Sequence, residues 1–147
     1  MPIEDNRALI MQLYADGFNC QNAVAGAGFY ALDASNHGVP IGRAGMQKVF
    51  EALFALFPDL TYMVETCVAE DDRVICRVLM TATHLGATAN PEVYGGMLSG
   101  VAPTGRSVRV PQFHSFRIAD GLILEHGAVR DDLGMLQQLG VIARPEV

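Results

Sequence analysis

The most constraining feature of this 147-residue chain is the run from residue 108 to residue 140. It reads as an alternating strand, a turn at Asp120-Gly121, a second strand and a short helix. Strand side chains alternate between the two faces, so His114 shares one face with four apolar residues, namely Val108, Val110, Phe116 and Ile118. His114 is therefore either a satisfied core histidine or the polar centre of a pocket. The rest of the chain favours the pocket.

The first half of the chain has helical periodicity. Asp5 is expected to cap a first helix that ends at Gly17. Residues 21–32 are rich in alanine and read as a second helix, and residues 44–57 carry an apolar side at helical spacing. The Asn-His-Gly turn and the proline in residues 33–42 predict a loop between these two helices.

The second half changes to the period of strands. Residues 61–70 and 73–84 alternate, and residues 86–105 form a long glycine-rich connection of the kind that serves as a lid or binding loop. Asp131 or Asp132 is expected to cap a last helix rather than to catalyse. Helices followed by antiparallel strands predict an α+β fold, in which a curved antiparallel sheet wraps around the N-terminal helices and encloses an apolar cavity.

Composition limits the partners. Net charge is −6 and the pI is near 5.0, which disfavours binding to nucleic acid or to an anionic membrane. No apolar run approaches the ~20 residues that span a bilayer, and the N-terminal segment lacks the pattern of a signal peptide. Three cysteines without CxxC spacing argue against a disulfide framework and a structural zinc site. A single domain over residues 1–147 in the cytoplasm is the expectation.

Two of the four histidines, His114 and His84, are candidates for proton transfer. An imidazole in an apolar pocket has a lowered pKa and stays available as a base near neutral pH. His114 could act as the base beside a carbonyl, and His84, Asn36 or Tyr30 could donate to the developing enolate oxygen. We also consider His84 and His114 as an acid and base pair for dehydration.

Each of the three histidines other than His114 has two possible interpretations. His84 lies on the inward face near the rim of the sheet, or simply ends its strand before the glycines. His37 lines the cavity mouth, or caps the loop. Alternation groups His126 with Leu124 and Ala128, so it would meet His114 in the cavity if this face points inward; otherwise it pairs with a neighbouring glutamate at the surface.

Further residues are expected to contact a substrate. Met80 and Met97 suit an adaptable apolar site, although methionine more often fills a core. The full set predicted for substrate binding is Tyr30, Asn36, His37, Phe50, Met80, Met97, Phe116, His126 and Ala128. The histidines show no HxH or HxxxH spacing, so no metal is predicted.

Several segments together resemble one known family. They are FHSFRIADGLILEHGAVRDDLGMLQQLG near the C-terminus, the helix NRALIMQLYADGFN, and the short motifs SNHG, FPDL, ATHLG and PTGRSV. In order and spacing they look like the SnoaL-like polyketide cyclases (ester cyclases) of the nuclear transport factor 2-like superfamily. The resemblance touches nearly the whole chain and implies the cone-shaped α+β fold.

The resemblance also implies a reaction. SnoaL-like cyclases close a polyketide ring by an intramolecular aldol reaction without metal or organic cofactor, and a strand histidine paired with an aspartate moves the protons. His114 matches that histidine. The aspartate position falls on Ala128 and the preceding aromatic position on Gly127, a change expected to enlarge or reshape the cavity.

Three function classes follow from these observations. The first is a cofactor-independent cyclase or lyase that acts on a hydrophobic, polyketide-like carbonyl compound by histidine acid/base chemistry. The second is dehydration or hydrolysis in the same cavity, and the third is a binding protein without chemistry, which Ala128 favours. A homodimer through the exposed sheet face, with Ile75 and Leu79 pointing outward, is expected largely from the resemblance.

Overall fold

The computed structural model describes residues 3–91 and 93–146, and it is an α+β fold with four α-helices and one five-stranded sheet. The helices are α1 (Ile3–Gln12), α2 (Ala23–Gly28), α3 (Gly42–Leu56) and α4 (Asp132–Leu139). The strands are β1 (Tyr30–Asn36), β2 (Thr61–Glu70), β3 (Arg73–Thr83), β4 (Ser107–Ala119) and β5 (Leu122–Arg130). The predicted fold class is confirmed.

The helices differ from the prediction mainly in the second one. α1 continues as a π-helical turn at Leu13–Phe18, so the first helical segment does end close to Gly17. Only Ala23–Gly28 is helical in the predicted second helix, because the chain passes at Tyr30 into β1. The predicted loop is correspondingly shorter, since β1 extends to Asn36.

The sheet has the strand order β1-β5-β4-β3-β2. β2 to β5 pair antiparallel, and β1 adds one parallel pairing with β5. The register shifts between Val64 and Thr66 on β2, and again between Arg117 and Ile118 on β4. Such irregularities bend strands, and the bent sheet packs its inner face against the helices.

β4 carries the inner wall of the fold. Its inward residues alternate strictly with exposed or half-buried ones and are all buried, namely Val108, Val110, Gln112, His114, Phe116 and Ile118. They pack with the apolar side of α3, where Met46, Phe50 and Leu53 are buried. Two polar residues, Gln112 and His114, are therefore built into an otherwise apolar face.

The shift on β4 and β5 changes which residues of β5 point inward. Ile123 is fully buried opposite Ile118, whereas Leu124 is half-buried, as His126 is, and packs against the core. Gly127 lies opposite Ser115 on the outer side, between the inward His126 and Ala128. A Cβ placed on Gly127 would meet no atom within 4 Å, so its lack of an aromatic side chain does not reshape the cavity.

The long connection after β3 starts against the end of α3. The backbone N–H groups of Leu85 and Gly86 both donate to the carbonyl oxygen of Leu56, at 3.1 Å each. A Cβ at Gly86 would overlap the carbonyl oxygen of Ala55. The close approach therefore requires glycine at this position.

The substitution Gly86→Ala should lower the free energy of unfolding by about 2 kcal/mol or more, because the loop must leave the end of α3 and lose both hydrogen bonds. Gly28→Ala is the matched control, since its Cβ meets nothing within 4 Å and alanine favours the helix by up to about 1 kcal/mol. Urea unfolding followed by circular dichroism measures both. Equal stability of the two variants would contradict this account of Gly86.

Candidate functional site

Two histidines of adjacent strands form a hydrogen-bonded pair, which we call the histidine dyad. His114 on β4 lies opposite Ala128, and His126 on β5 lies opposite Phe116, so the two inward rings are diagonal neighbours across the β4–β5 pair. Nδ1 of His114 is 2.8 Å from Nε2 of His126. The hydrogen-bond partner of His114 is therefore His126, and position 128, which lies opposite His114, carries no carboxylate.

Side-chain amides bind both outer nitrogens of the dyad. Nδ1 of His126 is 2.7 Å from Oδ1 of Asn36, which ends β1 and pairs with His126 in the sheet. Nε2 of His114 is 2.7 Å from Oε1 of Gln112, two residues earlier on β4. The hydroxyl of Tyr62 also donates to Oε1 of Gln112, at 3.3 Å. The dyad is thus the centre of a row that crosses three strands.

The row has an unusual proton count. With an amide oxygen at each end, the three hydrogen bonds need three ring protons, one from each outer nitrogen and one between the rings. Two neutral imidazoles carry only two. The arrangement is therefore complete when the dyad holds one extra proton, whereas in the neutral dyad one outer nitrogen presents a lone pair.

Burial acts against that extra proton. His114 is 4% exposed and Gln112 is 1% exposed. Desolvation lowers the pKa of His114, and the positive charge of Arg130 adds to this effect. Desolvation likewise lowers the pKa of His126, followed by the proximity of His114. Both rings are therefore neutral at pH 7, and a proton can be added to the dyad only against this desolvation.

A cavity of about 60 Å³ adjoins the dyad. Its apolar wall comes from α3 and neighbouring elements, and its polar side holds the dyad, both amides, two tyrosines and an arginine; the lining residues are Phe18, Asn36, His37, Met46, Val49, Phe50, Leu53, Tyr62, Val93, Tyr94, Gln112, His114, His126 and Arg130. The volume suits a few water molecules, whereas ligand pockets usually measure about 300–1,000 Å³. A larger ligand requires lining side chains to move.

Five of the predicted site residues line this cavity, namely Asn36, His37, Phe50, His114 and His126. Four others lie behind the lining or beside it. Tyr30 and Phe116 pack their rings on His126, with centroids 6.3 and 4.9 Å away. The sulfur of Met80 accepts the hydroxyl of Tyr94 at 3.1 Å. Ala128 faces His114 across the strands.

Met97 and His84 lie outside the lining. Met97 is half-buried against the core. His84 does not lie at the rim but is fully buried, where its Nδ1 accepts the backbone N–H of Thr104 at 3.2 Å. It is eight residues along the strand from Cys76, the partner of His114, which corresponds to about 26 Å. The predicted pairing of His84 with His114 is therefore wrong.

Gln112, Arg130, Tyr62 and Tyr94 contribute to the site and were missed from the sequence. Gln112 and Arg130 could have been found, since strand alternation places Gln112 with His114 and Arg130 with His126. Tyr62 points inward on β2, but the register shift between Val64 and Thr66 interrupts the alternation of this strand, so the pattern did not single out Tyr62. Tyr94 lies in the long connection, where no periodicity exists.

The acidic residues near the cavity have structural contacts. Asp131 caps α4, and its Oδ1 accepts the backbone N–H of Gly134 at 2.9 Å, as predicted. Asp132 pairs with Arg130. Within residues 3–91 and 93–146, no group of three or more histidine, cysteine, aspartate or glutamate side chains could hold a metal ion. In the same part of the chain, no helix is long and apolar enough to cross a membrane.

A curved sheet backed by helices, with a polar row beside an internal cavity, defines a class of cone-shaped α+β proteins, and comparison with known families identifies the member. The model of the SnoaL-like polyketide cyclase family matches residues 8–139. The chain belongs to this family, as the resemblance indicated. A comparison with curated protein sequences finds no match.

Solved structures agree with this assignment. AclR of Streptomyces galilaeus, a candidate hydroxylase, is 27% identical, with a TM-score of 0.78 over 99% of this chain and 87% of AclR. IdmH of Streptomyces antibioticus, a candidate polyketide cyclase, is 30% identical, with a TM-score of 0.71 over 92% of this chain and 98% of IdmH. TsrD of Streptomyces laurentii shares the fold at 23% identity, with a TM-score of 0.76 over 92% of this chain and 98% of TsrD.

The lowered pKa values of the dyad predict a pH-dependent stability. A free imidazole titrates near 6.5, so below that pH the unfolded chain binds more protons than the folded one. The contribution of the neutral dyad to the free energy of unfolding is complete above about pH 6.5. It is lost as the pH falls, with a slope of up to about 1.4 kcal/mol per pH unit for each histidine. Urea unfolding between about pH 7.5 and about pH 5 measures it.

The variant His126→Gln should show a smaller slope over the same range, because one buried imidazole is gone. The carboxyl groups with lowered pKa values, such as Asp59 and Asp72, titrate below this window and do not interfere. A wild-type stability that is independent of pH from about 7.5 to about 5 would contradict the buried neutral dyad.

Proposed function

We propose that this protein is a cofactor-independent cyclase of the SnoaL-like type, which acts on a hydrophobic carbonyl compound with the histidine dyad as its acid and base. One observation supports this most, namely the 2.8 Å contact between the buried imidazole of His114 and the half-buried imidazole of His126 in the wall of the cavity. A desolvated imidazole beside an apolar wall can remove a proton next to a carbonyl group. The family is one whose members bind small hydrophobic molecules.

His126 replaces the family's aspartate in this proposal. Asn36 accepts the Nδ1–H proton of His126, which leaves Nε2 of His126 to accept the Nδ1–H proton of His114. Nε2 of His114 then carries the lone pair and is the base. A second imidazole thus orients His114 as a carboxylate would, while the resting site stays without a buried negative charge.

The proton count of the row suits this role. When Nε2 of His114 takes a proton, it can donate to Oε1 of Gln112, and all three hydrogen bonds of the row are satisfied. Hydrogen bonds to the charged form oppose the desolvation that disfavours it. The Asn36 amide therefore stabilises the protonated dyad while the substrate is bound, and the Gln112 amide does so once it is back at Nε2 of His114.

The reaction balances without an external reactant. The substrate C–H bond breaks, its proton moves to Nε2 of His114, and the electron pair stays on the substrate as an enolate. The enolate carbon then bonds to a second carbonyl carbon of the same molecule, and the new alkoxide takes the proton back from the dyad. Both histidines end neutral, as they began.

Binding without chemistry is the competing function. All four ring nitrogens have partners at 2.7–2.8 Å, and the cavity holds about 60 Å³. A substrate must displace Gln112 to reach the base, and lining side chains must move for a ring system to enter. A binding protein would retain the cavity but would not exchange protons with its ligand.

Deuterium exchange separates these functions. We expect the protein to accelerate exchange of the α-protons of 1-tetralone, a two-ring ketone, in D₂O, followed by proton NMR. The variant His114→Gln should lose this acceleration by about 100-fold or more, as removal of a general base does. His84→Gln is the matched control, since His84 lies outside the lining, and its exchange per folded molecule should match the wild type.

Two outcomes would contradict the enzyme proposal. One is binding of 1-tetralone, seen as line broadening, without exchange above the buffer rate, which identifies a binding protein. The other is a wild-type rate in His114→Gln, which moves the chemistry to another residue. Circular dichroism confirms that each variant is folded.

We further propose that two copies of the chain pair through the outer sheet face. Exposed apolar residues gather there, since Met63 lies next to Leu79 in the sheet and Phe113 lies next to Val129. Met63, Phe113 and Val129 are 58%, 53% and 77% exposed, and such a patch on a sheet favours burial against a partner. Ile75, predicted to point outward, is 43% exposed.

The variant Phe113→Asp should be a monomer where the wild type is a dimer, because a carboxylate beside Val129 must be desolvated on pairing. Sedimentation velocity measures the mass of each. Val24→Asp is the control, since Val24 is an exposed apolar residue of α2, away from the sheet. A wild-type monomer, or a Phe113→Asp dimer, would refute this interface.

We also propose that the protein is located in the cytoplasm, which is a reducing compartment, and that residues 1–147 form a single domain. Cys20, Cys67 and Cys76 are all free thiols. The sulfurs of Cys67 and Cys76 are 3.2 Å apart on adjacent strands, so an oxidising compartment would favour their linkage. A reducing compartment would keep both thiols free.

A further inference from the structure

Arg130 brings a permanent charge to the cavity. It is the last residue of β5 and lies opposite Gln112 in the sheet, on the side of the strand that carries His126 and Ala128. Its side chain is 18% exposed, and its guanidinium carbon is 4.6 Å from the ring centroid of Tyr94. The cation is thus held at the cavity wall by stacking on an aromatic ring.

The counter-charge of Arg130 lies to one side. Nε donates to Oδ1 of Asp132 at 3.1 Å and Nη2 to Oδ2 at 3.4 Å. The Asp132 side chain is 34% exposed, so solvent screens part of this pair. Nη1 has no hydrogen-bond partner among residues 3–91 and 93–146. The remaining described lining residues are apolar, or are neutral amides, tyrosines and histidines.

We propose that Arg130 binds a substrate oxygen that is negatively charged in the complex, so that the substrate class is an acidic or readily ionised carbonyl compound. This inference rests on the proposed function, because it assigns the substrate of the same cavity. A carboxylate of the substrate and the enolate formed in the reaction share this chemistry. A guanidinium group binds either, since its donors match an anionic oxygen and its charge is permanent.

The position of Arg130 is consistent with a role beside the dyad. Its charge contributes to the lowered pKa values of both His114 and His126, which means that its field reaches both rings. The same field stabilises a negative oxygen between Arg130 and the dyad, and it does so most when water is excluded. Arg130 cannot supply the proton, so its contribution is electrostatic.

Small probes test the inference without turnover. Acetate and acetamide have the same shape and differ in charge, and 2,4-pentanedione ionises to an enolate that absorbs in the near ultraviolet. Acetate should shift the backbone NMR signals of Arg130 and Tyr94, and acetamide should not. 2,4-Pentanedione should gain enolate absorbance on binding at a pH where the free diketone is neutral.

The variant Arg130→Gln should weaken acetate binding and reduce bound enolate by about 10-fold or more, the loss typical of a charged hydrogen bond. Arg7→Gln is the matched control, because Arg7 also pairs with a carboxylate, Glu4, but lies exposed on α1. Binding of acetate alone assigns the charge to a substrate carboxylate, and ionisation of the diketone assigns it to the enolate.

The inference is overturned if neither probe binds, if acetamide binds as well as acetate, or if Arg130→Gln leaves both signals unchanged. These outcomes are independent of the dyad. Acetate binding that depends on Arg130, together with no deuterium exchange in 1-tetralone, would reject the enzyme proposal and retain the anion site. Deuterium exchange that depends on His114, without any anion binding, would retain the enzyme proposal and reject the anion site.

Discussion

The pairing of β5 with β4 on one side and β1 on the other is the constraint on which the site depends. It places inward side chains of three strands in one row, so that Gln112, His114, His126 and Asn36 meet at 2.7–2.8 Å. Contacts this short between four side chains require a rigid support, which backbone hydrogen bonds of a sheet provide and a loop does not. The parallel edge strand β1 therefore has a chemical role, because it alone supplies Asn36.

Two opposing influences set the protonation of the row. Burial and the charge of Arg130 favour neutral imidazoles, whereas the amide oxygens at both ends favour one added proton. A proton-transfer site needs both, since the base must be free at rest and its conjugate acid must survive until the proton is returned. Without burial, more of the dyad would be protonated at rest, and without the amides its rings would be poorer bases. Because Arg130 is close to the dyad, its positive charge favours both the neutral form of the base and a negative oxygen on the substrate.

Strand alternation predicted much of the sheet but not its edge or its distances. It placed His114 inward, and the bounds of β2 and β3 nearly match the prediction, because these strands pair with their sequence neighbours. β1 was hidden, since it follows an alanine-rich segment and pairs with a strand about ninety residues later. For His84 the predicted face was right, but alternation carries no information on separation along a strand. The loop residue Tyr94 follows no period at all.

The amide groups at the two ends give the row a property that an aspartate–histidine pair lacks. A half-turn of the Asn36 amide or of the Gln112 amide exchanges its oxygen for its NH₂ group, so the neutral row has two arrangements with opposite dipoles. In one the lone pair is at Nε2 of His114, and in the other at Nδ1 of His126. A carboxylate would fix the direction permanently. The direction of this row instead depends on how the two amides are oriented, and so does the ring nitrogen that carries the lone pair.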